Sequence, residues 1–104
     1  MSFKEVQKQV DEWAQQFKDP YFNPLAIVSF LMEEVGEVAR EVNQRFGPKK
    51  KKATEDTKEL GEEIADVMFG LICLANSQKI DLDENFKKMM DKRYNRDAPR
   101  YEKK

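Results

Sequence analysis

The sequence predicts an all-α fold, an antiparallel bundle of about four helices completed by oligomerisation. Three observations lead there. Apolar residues recur at three- and four-residue steps in four separate stretches. Helix start and stop signals bracket those stretches. And with 104 residues, 39% of them hydrophobic and 38% charged, the chain is long enough for one domain but short for a self-sufficient helical core.

The first helix is expected from about Ser2 to about Phe17. Ser2 and Glu5 have capping-box spacing, and Phe3, Val6, Val10, Trp13 and Phe17 form the apolar stripe. Asp19-Pro20 stops it, because the residue before a proline disfavours helical dihedrals. After the aromatic linker Pro20-Tyr21-Phe22-Asn23, Asn23 is a good N-cap, with Pro24 at the first helical position. The second helix should run to about Phe46, with Leu25, Val28, Leu31, Met32, Val35, Ala39 and Val42 as its inner stripe. Gly47-Pro48 ends it. Lys49 to Lys52 then form a basic run, read as a solvated loop, with reach over a polyphosphate as the functional alternative.

The third helix is expected from near Thr54 or Thr57 to about Ser77. Leu60, Ile64, Val67, Met68, Leu71, Leu74 and Ala75 make its inner stripe, and Glu59, Glu63, Asp66 and Gly70 lie along an adjacent edge. Gly36, Gly61 and Gly70 sit in helix interiors at a cost of about 1 kcal/mol each against alanine. Close backbone approach or room for a ligand would compensate, and ordinary tight packing competes as the explanation. Asp81 and Glu84 start a fourth helix with capping-box spacing. It carries Leu82, Phe86, Met89, Met90 and Tyr94 and turns basic at Lys87, Lys88, Lys92, Arg93 and Arg96. Residues 1–97 are read as one domain and 98–104 as a flexible tail.

Composition excludes several functions. The formal net charge is −1, which gives no global attraction to nucleic acid or to an anionic membrane. No apolar run is long enough to span a bilayer, and no signal peptide opens the chain, so a cytoplasmic protein is expected. The single cysteine, Cys73, lies in an apolar context and reads as a small buried hydrophobe. There is no histidine, which removes His-based nucleophilic triads and imidazole metal sites.

Two carboxylate clusters remain, Glu33-Glu34-Val35-Gly36-Glu37 and Glu62-Glu63-Ile64-Ala65-Asp66. Glu34 and Glu37 are three apart, as are Glu63 and Asp66, so each pair shares a helix face. On antiparallel helices the two pairs would pool four carboxylates, whose mutual repulsion calls for a cation between them. Oxygen-only ligands suit Mg²⁺ or Mn²⁺ best, with Ca²⁺ possible. Such an ion supports phosphoryl or nucleotidyl hydrolysis, and Lys92 or Arg96 could neutralise the rest of a polyphosphate. The competing reading is a pair of solvated acidic helix faces. Against it, both clusters sit among apolar residues and lack the i, i+4 lysines of a salt-bridged surface helix.

At these residues the sequence resembles the MazG-like nucleotide pyrophosphohydrolases of the all-α NTP pyrophosphatase superfamily, compact single-domain type. The family pattern, Glu-Glu-x-x-Glu, a spacer, then Glu-x-x-Asp, is matched by Glu33-Glu34-Val35-Gly36-Glu37 and Glu63-Ile64-Ala65-Asp66, and the likeness runs from about Pro24 to Asp97. It implies hydrolysis of a nucleoside triphosphate between the α and β phosphates, in nucleotide-pool sanitation. Glu34, Glu37, Glu63 and Asp66 match the Mg²⁺ ligands. Glu33 matches the leading glutamate, which would orient or deprotonate water or help hold a second metal. Lys92, Asn95 and Arg96 fall near basic positions that contact phosphate, although the stretch departs from the commoner Lys-x-x-x-Asn-x-x-Arg spacing. Trp13 and Phe17 are candidates for base recognition, while their place in the stripe points to core packing. The family implies a homodimer or homotetramer. The alternative to an enzyme is a non-catalytic helical module for nucleotide binding or oligomerisation.

Overall fold

The computed structural model describes residues 2–48 and 60–104 and is all-helical over them. The Lys49–Lys52 run, the start of the third helix near Thr54 or Thr57, and Glu59 lie outside the described residues. The helices are α1 (Phe3–Ala14), α2 (Pro24–Phe46), α3 (Leu60–Ser77) and α4 (Leu82–Lys92). A π-helical turn, Arg93–Asp97, and a 3-10 turn, Ala98–Arg100, follow α4 directly. No described helix is long and apolar enough to cross a membrane.

Local chemistry sets the helix ends. Ser2 Oγ accepts from the Glu5 amide at 3.1 Å and Glu5 Oε1 accepts from the Ser2 amide at 3.2 Å, so the capping box forms. Asn23 accepts from the Ala26 amide at 2.9 Å and Pro24 opens α2. Asp81 caps α4 through the Glu84 amide at 3.0 Å. Glu84 forms a salt bridge to Lys88 at 3.3 Å. Lys79 closes α3 in the left-handed region with φ 55°, and the Ile80 amide reaches back to the Ala75 carbonyl at 2.9 Å, a Schellman-type stop. The first helix ends three residues short of the expected Phe17, at Ala14. The chain then turns, and Phe17 packs edge-on against Trp13 with ring centroids 5.0 Å apart.

Both α1 and α2 run antiparallel to α3. Glu34 of α2 meets Glu63 and Asp66 of α3, while Leu31, further back on α2, meets Gly70, further on along α3; the pair is antiparallel. Trp13 of α1 contacts Phe69 of α3, and Gln7 contacts Asn76, so α1 is antiparallel to α3 as well. The start of α4 crosses the start of α1. Asp83 accepts from the Phe3 and Lys4 amides at 3.0 and 3.1 Å, and Phe86 packs on Phe3.

The core is small and matches the predicted stripes only at Val10, Leu31 and Ala75. Buried apolar residues are Val10, Ala14, Ile27, Leu31, Ile72 and Ala75. Of the expected α2 stripe only Leu31 is buried; Leu25, Val28, Met32, Val35 and Val42 are exposed. In α3, Ile64, Met68 and Leu71 are likewise exposed, and the edge carrying Glu63, Asp66 and Gly70 faces inward. Both helices are apolar on two sides, and the side turned to the intrachain partner is the one bearing the carboxylates. The radius of gyration is 17.3 Å, against about 13 Å for a compact domain of this length. A single copy is therefore an open arrangement with much apolar surface uncovered.

Among the interior glycines, Gly70 marks the close approach. A Cβ there would lie 2.6 Å from Leu31 Cδ2 and 3.1 Å from Leu31 Cγ, whereas at Gly36 and Gly61 it would meet nothing within 4 Å. Gly70→Val should therefore wedge α2 from α3 and cost about 1–3 kcal/mol, measurable as a lower urea midpoint. An unchanged midpoint would mean that the contact is easily relaxed.

Candidate metal centre and aromatic pocket

The α2–α3 contact brings three of the four expected ligands together. Glu34, Glu63 and Asp66 each offer a carboxylate oxygen, and these atoms all lie within 4.8 Å of one another. Glu63 is 2% exposed, and Glu34 and Asp66 are half-buried. The Oε2 atoms of Glu34 and Glu63 are shut off from solvent. Glu63 and Asp66 are three apart on α3, and Glu34 faces them from α2, so the set spans the helix pair rather than decorating one surface.

The donor set fits a hard divalent ion. All three groups are anionic oxygens, the ligand type that Mg²⁺ and Mn²⁺ take and soft metals do not. Two ligand atoms on opposite sides of Mg²⁺ are about 4 Å apart, so the observed spacing needs only small side-chain shifts to close on an ion. Burial matters too, since like charges crowded away from water repel more strongly than exposed ones.

Glu37 and Glu33 lie elsewhere. Both are exposed on α2, one turn apart, and Glu37 is outside the group of three converging carboxylates. The basic candidates are also apart from it. Lys92 is exposed at the end of α4 and Asn95 is exposed in the π-helical turn. That segment follows the helix packed on α1, whereas the carboxylates lie between α2 and α3. Arg96 is engaged locally, with Nε donating to Asp97 Oδ1 at 2.8 Å. Arg93 pairs with the same carboxylate at 3.1 Å and Arg100 approaches it at 3.8 Å. The hydrogen bond from Arg96 holds the Asp97 carboxyl below its ordinary value, and Asp97 is buried. One carboxylate thus gathers three guanidinium groups within two short turns.

Beside the carboxylates lies an aromatic cavity of about 370 Å³, lined by Trp13, Phe17, Tyr21, Phe22, Phe30 and Phe69 together with Asp19, Pro20, Ile27, Gly70 and Cys73. Its place follows from helix geometry. Phe30 is four residues from Glu34 on α2, and Phe69 and Gly70 are three and four residues from Asp66 on α3. The cavity and the carboxylates are therefore about one helical turn, roughly 5 Å, apart along one groove. The expectation that Trp13 and Phe17 pack in the core is corrected: they are 52% and 50% exposed and line this cavity. They emerge because α1 ends at Ala14 and its buried side is Val10 and Ala14. Phe30 and Phe69 were missed. The available signal was their spacing, since each sits one turn from a ligand on the same helix face. Cys73 is half-buried and burial pushes its thiol up, which suits an inert wall.

The model of the MazG nucleotide pyrophosphohydrolase domain matches residues 22–100. The chain belongs to the MazG family. This MazG chain is 52% identical over 103 residues to the uncharacterised protein YpjD of Bacillus subtilis (strain 168), covering 99% of the chain and 93% of YpjD. The crystal structure of YpjD from Bacillus subtilis, described as a candidate pyrophosphatase, superposes with a TM-score of 0.80 at 53% identity, covering 88% of this chain and 94% of that one. The crystal structure of the Bacillus-conserved MazG protein, a nucleotide pyrophosphohydrolase, gives a TM-score of 0.79 at 41% identity, covering 95% and 96%. The MazG match begins at Phe22, so α1, with Trp13 and Phe17, lies before the matched residues.

Proposed function

We propose that the chain is an Mg²⁺-dependent nucleoside triphosphate pyrophosphohydrolase, converting a (d)NTP and water to the (d)NMP and pyrophosphate in nucleotide-pool sanitation. One observation carries this reading: three buried or half-buried carboxylates converge one helical turn from an aromatic cavity. A nucleotide has the matching layout, with an anionic phosphate chain joined through a short sugar to a flat aromatic base.

Glu34, Glu63 and Asp66 would hold the ion, with Mn²⁺ as a substitute, and Glu37 would complete the ligand set from the open side of α2. The ion, when bound, screens the phosphate oxygens and stabilises the charge that develops on them. Glu33, in solvent beside Glu34, would take the proton of the attacking water. The water oxygen bonds to the α phosphorus, the bond from that phosphorus to the bridging oxygen breaks, and pyrophosphate leaves with the electron pair. Trp13, Phe17 and Phe69 would hold the base by stacking. Trp13→Ala should raise KM about tenfold or more, since base–aromatic stacking contributes about 1–3 kcal/mol; unchanged KM for every nucleotide would remove the base from this cavity.

The proposal includes a homodimer or homotetramer. Leu25, Val28, Met32, Val35, Val42 and Phe46 are all exposed on α2 and, with Ala39, follow alternating steps of three and four, the spacing of a helix–helix seam. Lys92, Asn95 and Arg96 would then contact phosphate across the assembly, since in one copy they follow the helix packed on α1. The deciding assay is a (d)NTP panel with Mg²⁺ and resolved products. Monophosphate plus pyrophosphate supports the reading; release of orthophosphate, or no turnover with either metal, refutes it.

A further inference from the structure

Tyr21 has two environments. Its ring lines the aromatic cavity with Trp13 and Phe30, while the residue also borders a polar cleft with Gln7, Asp11 and Asn76. The hydroxyl donates to Asp11 Oδ1 at 2.6 Å and accepts from Asn76 Nδ2 at 3.1 Å. Asn76 is in turn clamped by Gln7. Its Nδ2 donates to the Gln7 carbonyl at 3.0 Å, and its Oδ1 accepts from Gln7 Nε2 at 3.0 Å. The Gln7 side chain also fixes the turn before α4, donating to the Ile80 carbonyl at 2.8 Å and accepting from the Leu82 amide at 3.2 Å. An unbroken hydrogen-bond chain thus runs from the α3–α4 turn to a ring in the wall of the cavity.

The direction of the chain is fixed. Burial, and then the bond to Asp11, push the Tyr21 hydroxyl up to about 12, and the bond from Tyr21 holds Asp11 below its ordinary value. The hydroxyl therefore remains a neutral donor at physiological pH. Tyr21 needs such an anchor because it lies between α1 and α2, outside any helix, where no backbone ladder holds it.

We propose that Asn76 is a positioning residue for the substrate's base: through the Tyr21 hydroxyl it presets the ring as a wall of the cavity before a nucleotide arrives. This rests on the base-pocket reading above. Ordering a side chain during binding weakens affinity, so loss of the anchor should act on nucleotide binding and not on the phosphates.

The test uses the full chain and two probes. One is an α,β-methylene nucleoside triphosphate, which reports binding without turnover. The other is inorganic tripolyphosphate, which has phosphates and no base. Asn76→Ala and Tyr21→Phe should each weaken binding of the nucleotide analogue about three- to tenfold and leave tripolyphosphate binding unchanged. The double variant should be no weaker than either single one, because both changes cut the same chain. Tyr21→Phe keeps the ring and carries the test if Asn76→Ala does not fold. Unchanged nucleotide binding overturns the proposal, as does an equal loss for tripolyphosphate, which would indicate general damage. Trp13→Ala separates the two readings. If it weakens nucleotide binding while the Tyr21 and Asn76 variants do not, the pocket stands and the positioning role falls. If none of the three changes nucleotide binding, the pocket reading falls and takes the positioning role with it.

Discussion

Asp66→Asn should lower kcat at least about a hundredfold, about 2.7 kcal/mol in the activation barrier, while the helical circular dichroism stays unchanged. The substitution keeps the shape of the side chain and removes one anionic oxygen donor. Asp66 is half-buried, so the helix tolerates an amide there more readily than at Glu63, which is 2% exposed. A second readout does not need substrate. An ion held by the native state at a hundred times its Kd stabilises by about 2.7 kcal/mol, or on the order of 10 °C in Tm for a chain of this size. The parent protein should show that rise with Mg²⁺, and Asp66→Asn should lose most of it. Retained activity together with a retained metal-dependent rise would refute the assignment. Glu37→Gln is the informative comparison, because Glu37 lies outside the converging three. An equal loss there would place Glu37 among the ligands, and a small one would leave it outside.

Met32→Lys should split the assembly and lower Tm by roughly 10 °C or more. In one copy Met32 is 72% exposed, and an exposed substitution away from special features changes stability by no more than about 0.5 kcal/mol. On the proposed seam the same residue is buried against a second copy. Losing its burial costs about 1.5–3 kcal/mol per copy, and forcing an ammonium into the contact adds to that. Sedimentation should show a fall in mass, and activity should fall with it as the basic C-terminal turns lose the opposite copy. A protein with unchanged mass and Tm would show that this face of α2 is solvent-exposed in solution.

The helix pattern was legible because its signals are local. The capping pairs of Ser2 and Glu5, Asn23 with Pro24, Gly47 with Pro48, and Asp81 are short-range hydrogen-bonding devices that work wherever the helix ends up. The meeting of Glu34, Glu63 and Asp66 was legible for a similar reason, since two motifs at helical spacing on antiparallel helices converge with few alternatives, but Glu37 does not join them. Rotation of the helices about their axes was not legible. On α2 two apolar rows exist, one with Ile27 and Leu31 and one with Leu25, Met32 and Val35. Periodicity detects both without saying which faces the chain's own α3. The expected stripe followed the second row and, apart from Leu31, is left uncovered in a single copy. The place of Lys92 and Arg96 was illegible as well, since it depends on α4 docking to α1 through Phe86 and Asp83, a contact far apart in sequence.

The Gly70–Leu31 contact does more than let two helices touch. Gly70 is one turn from Asp66, and Leu31 is three residues from Glu34, so the contact sits beside the carboxylates and gauges the gap between them. Mg²⁺ accepts ligands at about 2.0–2.1 Å and Ca²⁺ at about 2.3–2.6 Å, a difference smaller than the displacement that one added methyl group would impose. In the proposed metal site the bare backbone at position 70 would therefore act as a calliper for ionic radius. If the carboxylates hold an ion as proposed, side-chain volume at a residue that ligates nothing would bear on which cation fits.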